Sequence, residues 1–311
     1  SQPITASHLA VTSIAEDSST AGIEAGEVLT VEQLLNCLLI VSANEAANVL
    51  AEAVSGSIAD FVALMNQRAG ELGCEGTHFA NTNGLHDPQH YTTAWDIYLI
   101  AREAMKHDLF MTICGSKSYD VPATNMSDVR ELHSTNALIS NWRTLGYIYD
   151  YADGLKTGYT SAAGHCLSAS AERNGMELIA VVLHCASSTD RFESAKALLN
   201  YGFSNYALVT PEPGELPAVP VTLGTAAEIT PVLADETPIL IDKALAAGVE
   251  TRVCVDESVT APVEAGQTLG ALTITSGGQT IAERDLIAPE AVGALRWGDV
   301  YLQMLRALCM G

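Results

Sequence analysis

Basic side chains are scarce in this chain: 15 Lys and Arg stand against 37 Asp and Glu among 311 residues, a formal charge of -22. A field of that sign repels nucleic acid phosphates and anionic lipid headgroups, so no nucleic acid partner is expected. Any Lys or Arg held in a cleft of such a molecule is a specific contact for an anionic group. No run of 18 or more apolar residues occurs, and Ser1-Gln2-Pro3 does not open a charged segment followed by an apolar one, so neither a transmembrane span nor a signal peptide is expected. For an exported protein this implies a processed or truncated start. The seven cysteines, at 37, 74, 114, 166, 185, 254 and 309, form no C-x-x-C and are odd in number, so they cannot all pair internally. The expectation is free thiols that behave as small core hydrophobes. His86 and His90 are four apart, but Pro88 between them forbids the helix that would bring both rings to one face, so no metal is expected there.

What the chain does have is apolar residues, at 48%, enough to bury one large core or two of ordinary size. From about residue 28 to 206, helix and strand signals alternate without internal repeats, which points to an α+β or α/β arrangement. Thr30 with Gln33, Ser57 with Asp60, and Thr93 with Asp96 each read as a capping box ahead of apolar residues at helical spacing. Residues 81–88, Asn-Thr-Asn-Gly-Leu-His-Asp-Pro, are dense in turn formers and read as a loop, with Asn83 and Leu85 candidates for lining a cleft. Asn174-Gly175 joins two β-rich runs as a hairpin, and Asp190 with Glu193 opens a helix expected to end near Gly202. Beyond about Val209 four prolines fall at 211, 213, 217 and 220, and short Val/Thr/Ile/Leu runs follow, the pattern of a separate small all-β domain. Trp297, Val300, Tyr301, Met304, Leu305 and Leu308 place apolar groups on one face of a final helix.

Two motifs carry chemistry. Lys156-Thr157-Gly158, on a strand leading into a hairpin, presents an ammonium, a hydroxyl and an open backbone edge together, a set suited to a carboxylate. Ser42-Ala43-Asn44 lies between two apolar helical runs, where a short connection points Ser42 and Asn44 into a cleft or else lets Asn44 cap the next helix. Ser-x-Asn followed by Lys-Thr-Gly is two-thirds of the motif set of penicillin-binding proteins and class A β-lactamases.

With residues 41–54, Gly76-Thr77-His78-Phe79, Asn83-Gly84-Leu85, residues 90–94, Asp153 to Gly158 and Leu198 to Phe203, the chain resembles the low-molecular-mass penicillin-binding D-alanyl-D-alanine carboxypeptidases. The resemblance implies an α+β fold: an antiparallel sheet with helices, like the serine β-lactamases, over residues 1–207, an all-β domain over 208–292 and an amphipathic tail helix over 293–311. It implies cleavage of peptidoglycan stem peptides ending in D-Ala-D-Ala through a serine acyl-enzyme, without a cofactor, inhibition by β-lactams, and a place outside the cytoplasm, at the outer face of the membrane or in the cell wall. The tail is the segment by which family members attach to the membrane, although from Trp297 onward Arg306 is its only cation and Asp299 cancels it.

By the same resemblance Ser42 relays a proton to the leaving D-Ala and Asn44 bonds the substrate amide. Lys156 and Thr157 hold the terminal carboxylate on the edge opened by Gly158, the backbone N–H of Tyr159 serves as an oxyanion donor, and Arg191 lies near the substrate carboxylate. The acylated Ser and its Lys partner belong to a Ser-x-x-Lys. The residues three before the lysines at 106, 117, 156, 196 and 243 are Glu103, Cys114, Asp153, Glu193 and Leu240, so no position here inherits that role. The simplest expectation is a fragment inactive as it stands; a non-catalytic cell-wall peptide binder is the alternative. A class A β-lactamase fits less well, because Ala43 replaces the middle residue of Ser-Asp-Asn and a β domain follows, whereas a DD-endopeptidase would share every motif.

Overall fold

The computed structural model describes residues 2–298 and Tyr301. The chain divides into two compact units, Ser1–Gly202 and Phe203–Gly311.

In the first unit, β1 (Pro3–Thr5) and β2 (Val28–Thr30) pair antiparallel around α1 (His8–Thr12). Thr30 ends β2 and starts α2 (Val31–Val41): its hydroxyl accepts from the Gln33 N–H at 3.2 Å, while Gln33 Oε1 accepts from the Thr30 N–H at 2.7 Å. This is the reciprocal box expected from the spacing. Only Ser42 and Ala43 separate α2 from α3 (Asn44–Ser55). Leu34, Cys37 and Ile40 of α2 bury against Ala46 and Val49 of α3 and against Ala10, Leu29, Ile113, Val121 and Leu132, forming the helical core. Next come α4 (Ile58–Glu71), capped by Ser57, and α5 (Ala94–Ala104), capped by Thr93, each hydroxyl accepting an N–H three residues on at 3.1 Å. The turn-rich segment between them is tied to itself: Asn81 Oδ1 accepts from the Gly84 N–H at 2.7 Å and Asn83 Oδ1 from the Leu85 N–H at 3.1 Å. After α6 (Asp108–Cys114) a hairpin of β3 (Ser118–Val121) and β4 (Arg130–His133) completes the helical side.

The sheet consists of β5 (Ala152–Gly154), β6 (Thr157–Thr160), β7 (Gly164–Arg173) and β8 (Met176–Cys185). β5 and β6 follow one another along one side of β7, and β8 takes the other side. Asn174 and Gly175, both at positive φ, make the tight turn between β7 and β8. α5 packs on β8. The next helix, α7 (Asp190–Asn205), runs three residues past the end expected at Gly202. A Cβ on Gly202 would lie 2.5 Å from Leu178 Cδ1, so this glycine serves close helix-to-strand packing rather than termination.

The second unit is built on β9 (Tyr206–Val209), β10 (Val219–Thr222), β11 (Glu228–Ile229), β12 (Val232–Leu233), β13 (Ile239–Asp242), a short α8 (Lys243–Ala246), β14 (Val249–Val255), β15 (Val259–Thr260), β16 (Thr268–Ser276) and β17 (Gln279–Ile287). Its sheets run β11-β10-β15, β12-β17-β16-β14 and β13-β9. Val219, Val221, Val263, Leu269 and Val292 form one core, and Leu272, Ile274 and Leu286 another. Of the tail helix expected over 293–311, residues 299, 300 and 302–311 lie outside the described residues. Among the described cysteines all six are free, but only Cys37 and Cys114 are buried, and Cys254 is exposed, so the expectation of core thiols holds for two of them. Cys254 sits in β14, whose register pairs it with Ala271.

Candidate active site

Ser42 closes α2 in the left-handed region, at φ 62°, and its N–H donates to Cys37 O. That conformation ends the helix within one residue and lets α3 start again after Ala43, which leaves Ser42 at a sharp corner between two buried helices. Asn44 is the first residue of α3 rather than its cap: Ala43 holds the cap position without a side-chain bond, and Asn44 is buried with its N–H donated to Ser19 O at 3.0 Å. One residue on, buried Glu45 accepts from Thr20 Oγ1 and the Ala21 N–H, each at 2.7 Å, pinning the 20–23 segment against this corner.

The Lys-Thr-Gly strand approaches from the other side. The register of β5 on β7 shifts between Ala152 and Gly154, a bulge at Asp153; Leu155, at φ 70°, then separates β5 from β6, after which Lys156 and Ser168 exchange both backbone hydrogen bonds at 3.0 Å. Bulges beside active sites re-aim side chains, and here Leu155 is buried against Ala101 and Cys114 while the Lys156 ammonium donates to Ser42 Oγ and, at 3.1 Å, to Thr157 O. Gly154 permits this course: it has φ 132°, and a Cβ there would lie 2.3 Å from Cys114 O. Thr157 is buried and shares a 2.7 Å hydroxyl contact with Thr135, whose N–H donates to Ile40 O at 3.3 Å. The strand, the end of α2 and the segment after β4 thus meet at one point.

Arg191, in the first turn of α7, donates to Gly158 O at 3.3 Å and lies over the Phe192 ring at 4.8 Å, with its Nε buried and unpartnered. Burial disfavours its charge. Tyr159 is exposed and stacks on His165 with ring centroids 4.4 Å apart. Burial also lowers Lys156, and although the nearby Cys114 opposes this, the charges of Arg191 and Arg143 add to the lowering, so its ammonium titrates at about 8. Burial raises the Cys114 thiol to about 12, so beside Lys156 it stays a neutral packing group. Among the described residues no acid pairs with Lys156, Arg191 or Arg143. Cations gathered on a strongly acidic molecule without a counter-charge make a site for an anion.

Residues 1–187 match the family described as D-alanyl-D-alanine carboxypeptidase, and residues 214–294 match the C-terminal domain of penicillin-binding protein 5. The chain belongs to this carboxypeptidase family. It is 32% identical to the D-alanyl-D-alanine carboxypeptidase DacF of Bacillus subtilis over 86% of this chain and 68% of the relative, and 30% identical to DacC of Escherichia coli over 88% and 67%. Among solved structures, penicillin-binding protein 5 of Haemophilus influenzae superposes with a TM-score of 0.75 at 27% identity, covering 94% of this chain and 83% of that one. Penicillin-binding protein 6B of Escherichia coli superposes at 0.72 and 25%, covering 92% and 79%. The α+β fold with a following β domain and the serine carboxypeptidase class, both expected from the motifs, are therefore those of the family, and with them come D-Ala-D-Ala peptides as substrate and β-lactams as ligands.

Sequence reasoning overlooked three residues of this region. Thr135 seats Thr157, Arg143 adds a cation, and Arg130, at the start of β4, ties the hairpin to the segment before β2: its guanidinium donates to Glu27 Oε2 at 2.6 Å, and Thr124 Oγ1 donates to Glu27 Oε1 at 2.6 Å. The polar run Ser134-Thr135-Asn136 directly after β4, in which Ser134 and Asn136 are buried, was the available signal for Thr135. His90, weighed above as a ligand, accepts the Ala80 N–H at 3.2 Å, and among the described residues no three ligating side chains converge.

Proposed function

We propose that this chain supplies the substrate-holding and proton-relaying part of a serine D-alanyl-D-alanine carboxypeptidase. The observation that carries the reading is the contact between the Lys156 ammonium and the Ser42 hydroxyl, which brings the two motifs, 114 residues apart, to one point. Lys156 and Thr157 hold the terminal carboxylate of a stem peptide, with Arg191 behind Gly158 completing the positive field. Fixing that carboxylate fixes the scissile bond relative to the nucleophile, the positional contribution to catalysis. Ser42, hydrogen-bonded to a lysine with a lowered proton affinity, passes a proton to the leaving D-Ala nitrogen. Asn44 bonds the substrate amide, and the backbone N–H of Tyr159 faces the developing oxyanion, a donor worth about 3 kcal/mol in enzymes of this logic.

Acylation needs a Ser-x-x-Lys, which these 311 residues do not contain. The test follows directly. A fluorescent penicillin is expected to leave no covalent label on the 311 residues and to label a chain in which a Ser-x-x-Lys segment precedes Ser1; that chain should also release D-alanine from D-Ala-D-Ala peptides. Binding of such peptides with neither label nor release in the extended chain would favour the second reading, a peptide-holding protein without turnover. We place the protein outside the cytoplasm because its substrate is there, with peripheral membrane contact through 293–311. Loss of liposome co-sedimentation on removing residues 297–311 is the expected sign of that contact, and equal recovery with and without them would remove it.

A further inference from the structure

A buried acid is tolerated only where hydrogen bonds or a counter-charge replace the water it loses. Glu45, in the first turn of α3, is 1% exposed and has no ion pair among the described residues. Its hydrogen bonds come from one stretch of chain: Oε1 accepts from Thr20 Oγ1 and the Ala21 N–H, each at 2.7 Å, and from the Ile23 N–H at 3.4 Å. Thr20 Oγ1 in turn accepts the Gly22 N–H at 2.8 Å, a tight turn that Gly22 allows at φ 70°. Further along, Arg130 Nη2 donates to Gly22 O at 3.1 Å and Ile23 is buried in the helical core. Oε2 of Glu45 is buried without a hydrogen-bond partner, so the side chain acts through segment 20–23.

The same stretch caps α3. Ala43, at the cap position, offers no side-chain bond, and the Asn44 N–H, which has no acceptor inside the helix it starts, donates to Ser19 O at 3.0 Å. Segment 19–23 is thus fastened to two successive residues, Asn44 and Glu45, and the Ser42 corner is held between it and the end of α2. Asn48, one turn further along α3, holds other parts of the chain: its Nδ2 donates to Ala10 O and Ser13 Oγ, each at 3.1 Å, and its Oδ1 accepts from Thr82 Oγ1 at 2.5 Å. The groups assigned to the terminal carboxylate, Lys156, Thr157 and Arg191, come from the Lys-Thr-Gly strand and α7, not from α3. We propose that Glu45 is a positioning residue for D-alanine release: by locking segment 19–23 onto the start of α3 it fixes Ser42 and Asn44 for proton relay and amide contact, without itself touching the substrate. This rests on the reading of Ser42 and Asn44 given above.

The experiment follows D-alanine release from a D-Ala-D-Ala peptide by the chain in which a Ser-x-x-Lys segment precedes Ser1, with kcat and KM determined separately and the melting temperature of each variant recorded. Glu45→Ala is expected to lower kcat about 10²-fold, the scale of a misplacement of about 1 Å, and to leave KM within about threefold, because the grip on the carboxylate is untouched. Glu45→Gln keeps an oxygen acceptor for the same three donors and should retain kcat within about threefold. Asn48→Ala removes a comparable set of buried hydrogen bonds from the same helix, so it should lower the melting temperature as much as Glu45→Ala yet hold kcat within about twofold. Should Glu45→Ala not fold, Thr20→Val removes one donor and leaves the acid in place, and it is expected to lower kcat about tenfold. On the 311 residues alone, Glu45→Ala should speed hydrogen exchange at the Asn44 amide by about tenfold or more while peptide affinity stays within about threefold. Equal losses of kcat in Glu45→Ala and Asn48→Ala, a loss in Glu45→Gln as large as in Glu45→Ala, a raised KM in place of a lowered kcat, unchanged kcat in Thr20→Val, or unchanged exchange at Asn44 overturns the role of Glu45. Absence of D-alanine release by the unsubstituted extended chain instead brings down the reading of the cleft, and the Glu45 proposal with it.

Discussion

Lys156 is the residue on which the electrostatics of the site turn, because the fold withholds solvent from a charge it must nevertheless keep at neutral pH. With an ammonium that titrates at about 8, affinity for a terminal carboxylate is expected to fall as pH rises through that value, measurable by titrating a D-Ala-D-Ala peptide between pH 6.5 and 9.5. The stability effect has the opposite sign. A lysine lowered from 10.5 to about 8 binds fewer protons folded than unfolded across that window, so folding is penalised below it by about 3 kcal/mol and recovers as pH rises through it. Lys156→Met is therefore expected to stabilise the fold at pH 7, by an amount that shrinks toward pH 10 in denaturant titrations, while weakening peptide binding by about 10- to 100-fold. Ser42→Ala separates relay from holding: binding should stay within about threefold, whereas turnover in a chain carrying Ser-x-x-Lys should drop by about 10²–10⁴.

At the level of elements, the site exists because two chain breaks occur where they do. α2 and α3 are separated by a left-handed Ser42 and a single further residue, and β5 and β6 by a left-handed Leu155 that follows the bulge at Asp153. Both breaks are over-determined by burial on either side. Gly154→Ala is expected to destabilise the fold by about 3 kcal/mol and to weaken peptide binding together with stability, since a Cβ meets Cys114 O and must lift β5 away from α6. The hairpin that leads to Thr135 depends in turn on Glu27 and Arg130. Burial pushes the Glu27 carboxyl up, but the hydrogen bonds from Arg130 and Thr124 outweigh this and hold it below its ordinary value. Its contribution is thus present at neutral pH and is lost as pH falls through that lowered value. Glu27→Gln leaves a largely buried guanidinium without its counter-charge, and a loss of about 3–5 kcal/mol is expected in equilibrium unfolding.

On the scale of the whole molecule, the two units have separate cores, so a chain ended at residue 207 is expected to bind D-Ala-D-Ala peptides within about twofold of the longer one, and a marked loss would show that the β unit contributes to the site. Much of this architecture could be read in advance. Capping boxes, the Asn-Gly turn and the change to short β-rich runs are local signals, written in residues that are neighbours along the chain, and Ser-x-Asn and Lys-Thr-Gly, together with the stretches at 76–79, 83–85, 90–94 and 198–203, were enough to place the chain in its family. The exceptions were residues whose meaning depends on a distant partner: Gly202 read as a stop because Leu178 was not visible beside it, and Thr135, Glu27, Arg130 and Arg143 carried no motif at all. The sequence by itself determined the elements, the chemistry available to each motif and the enzyme class. Only the tertiary structure decided that Lys156 meets Ser42, that its proton affinity is lowered, and that Thr135 seats Thr157, because proximity and desolvation arise from packing between segments that the chain order leaves far apart.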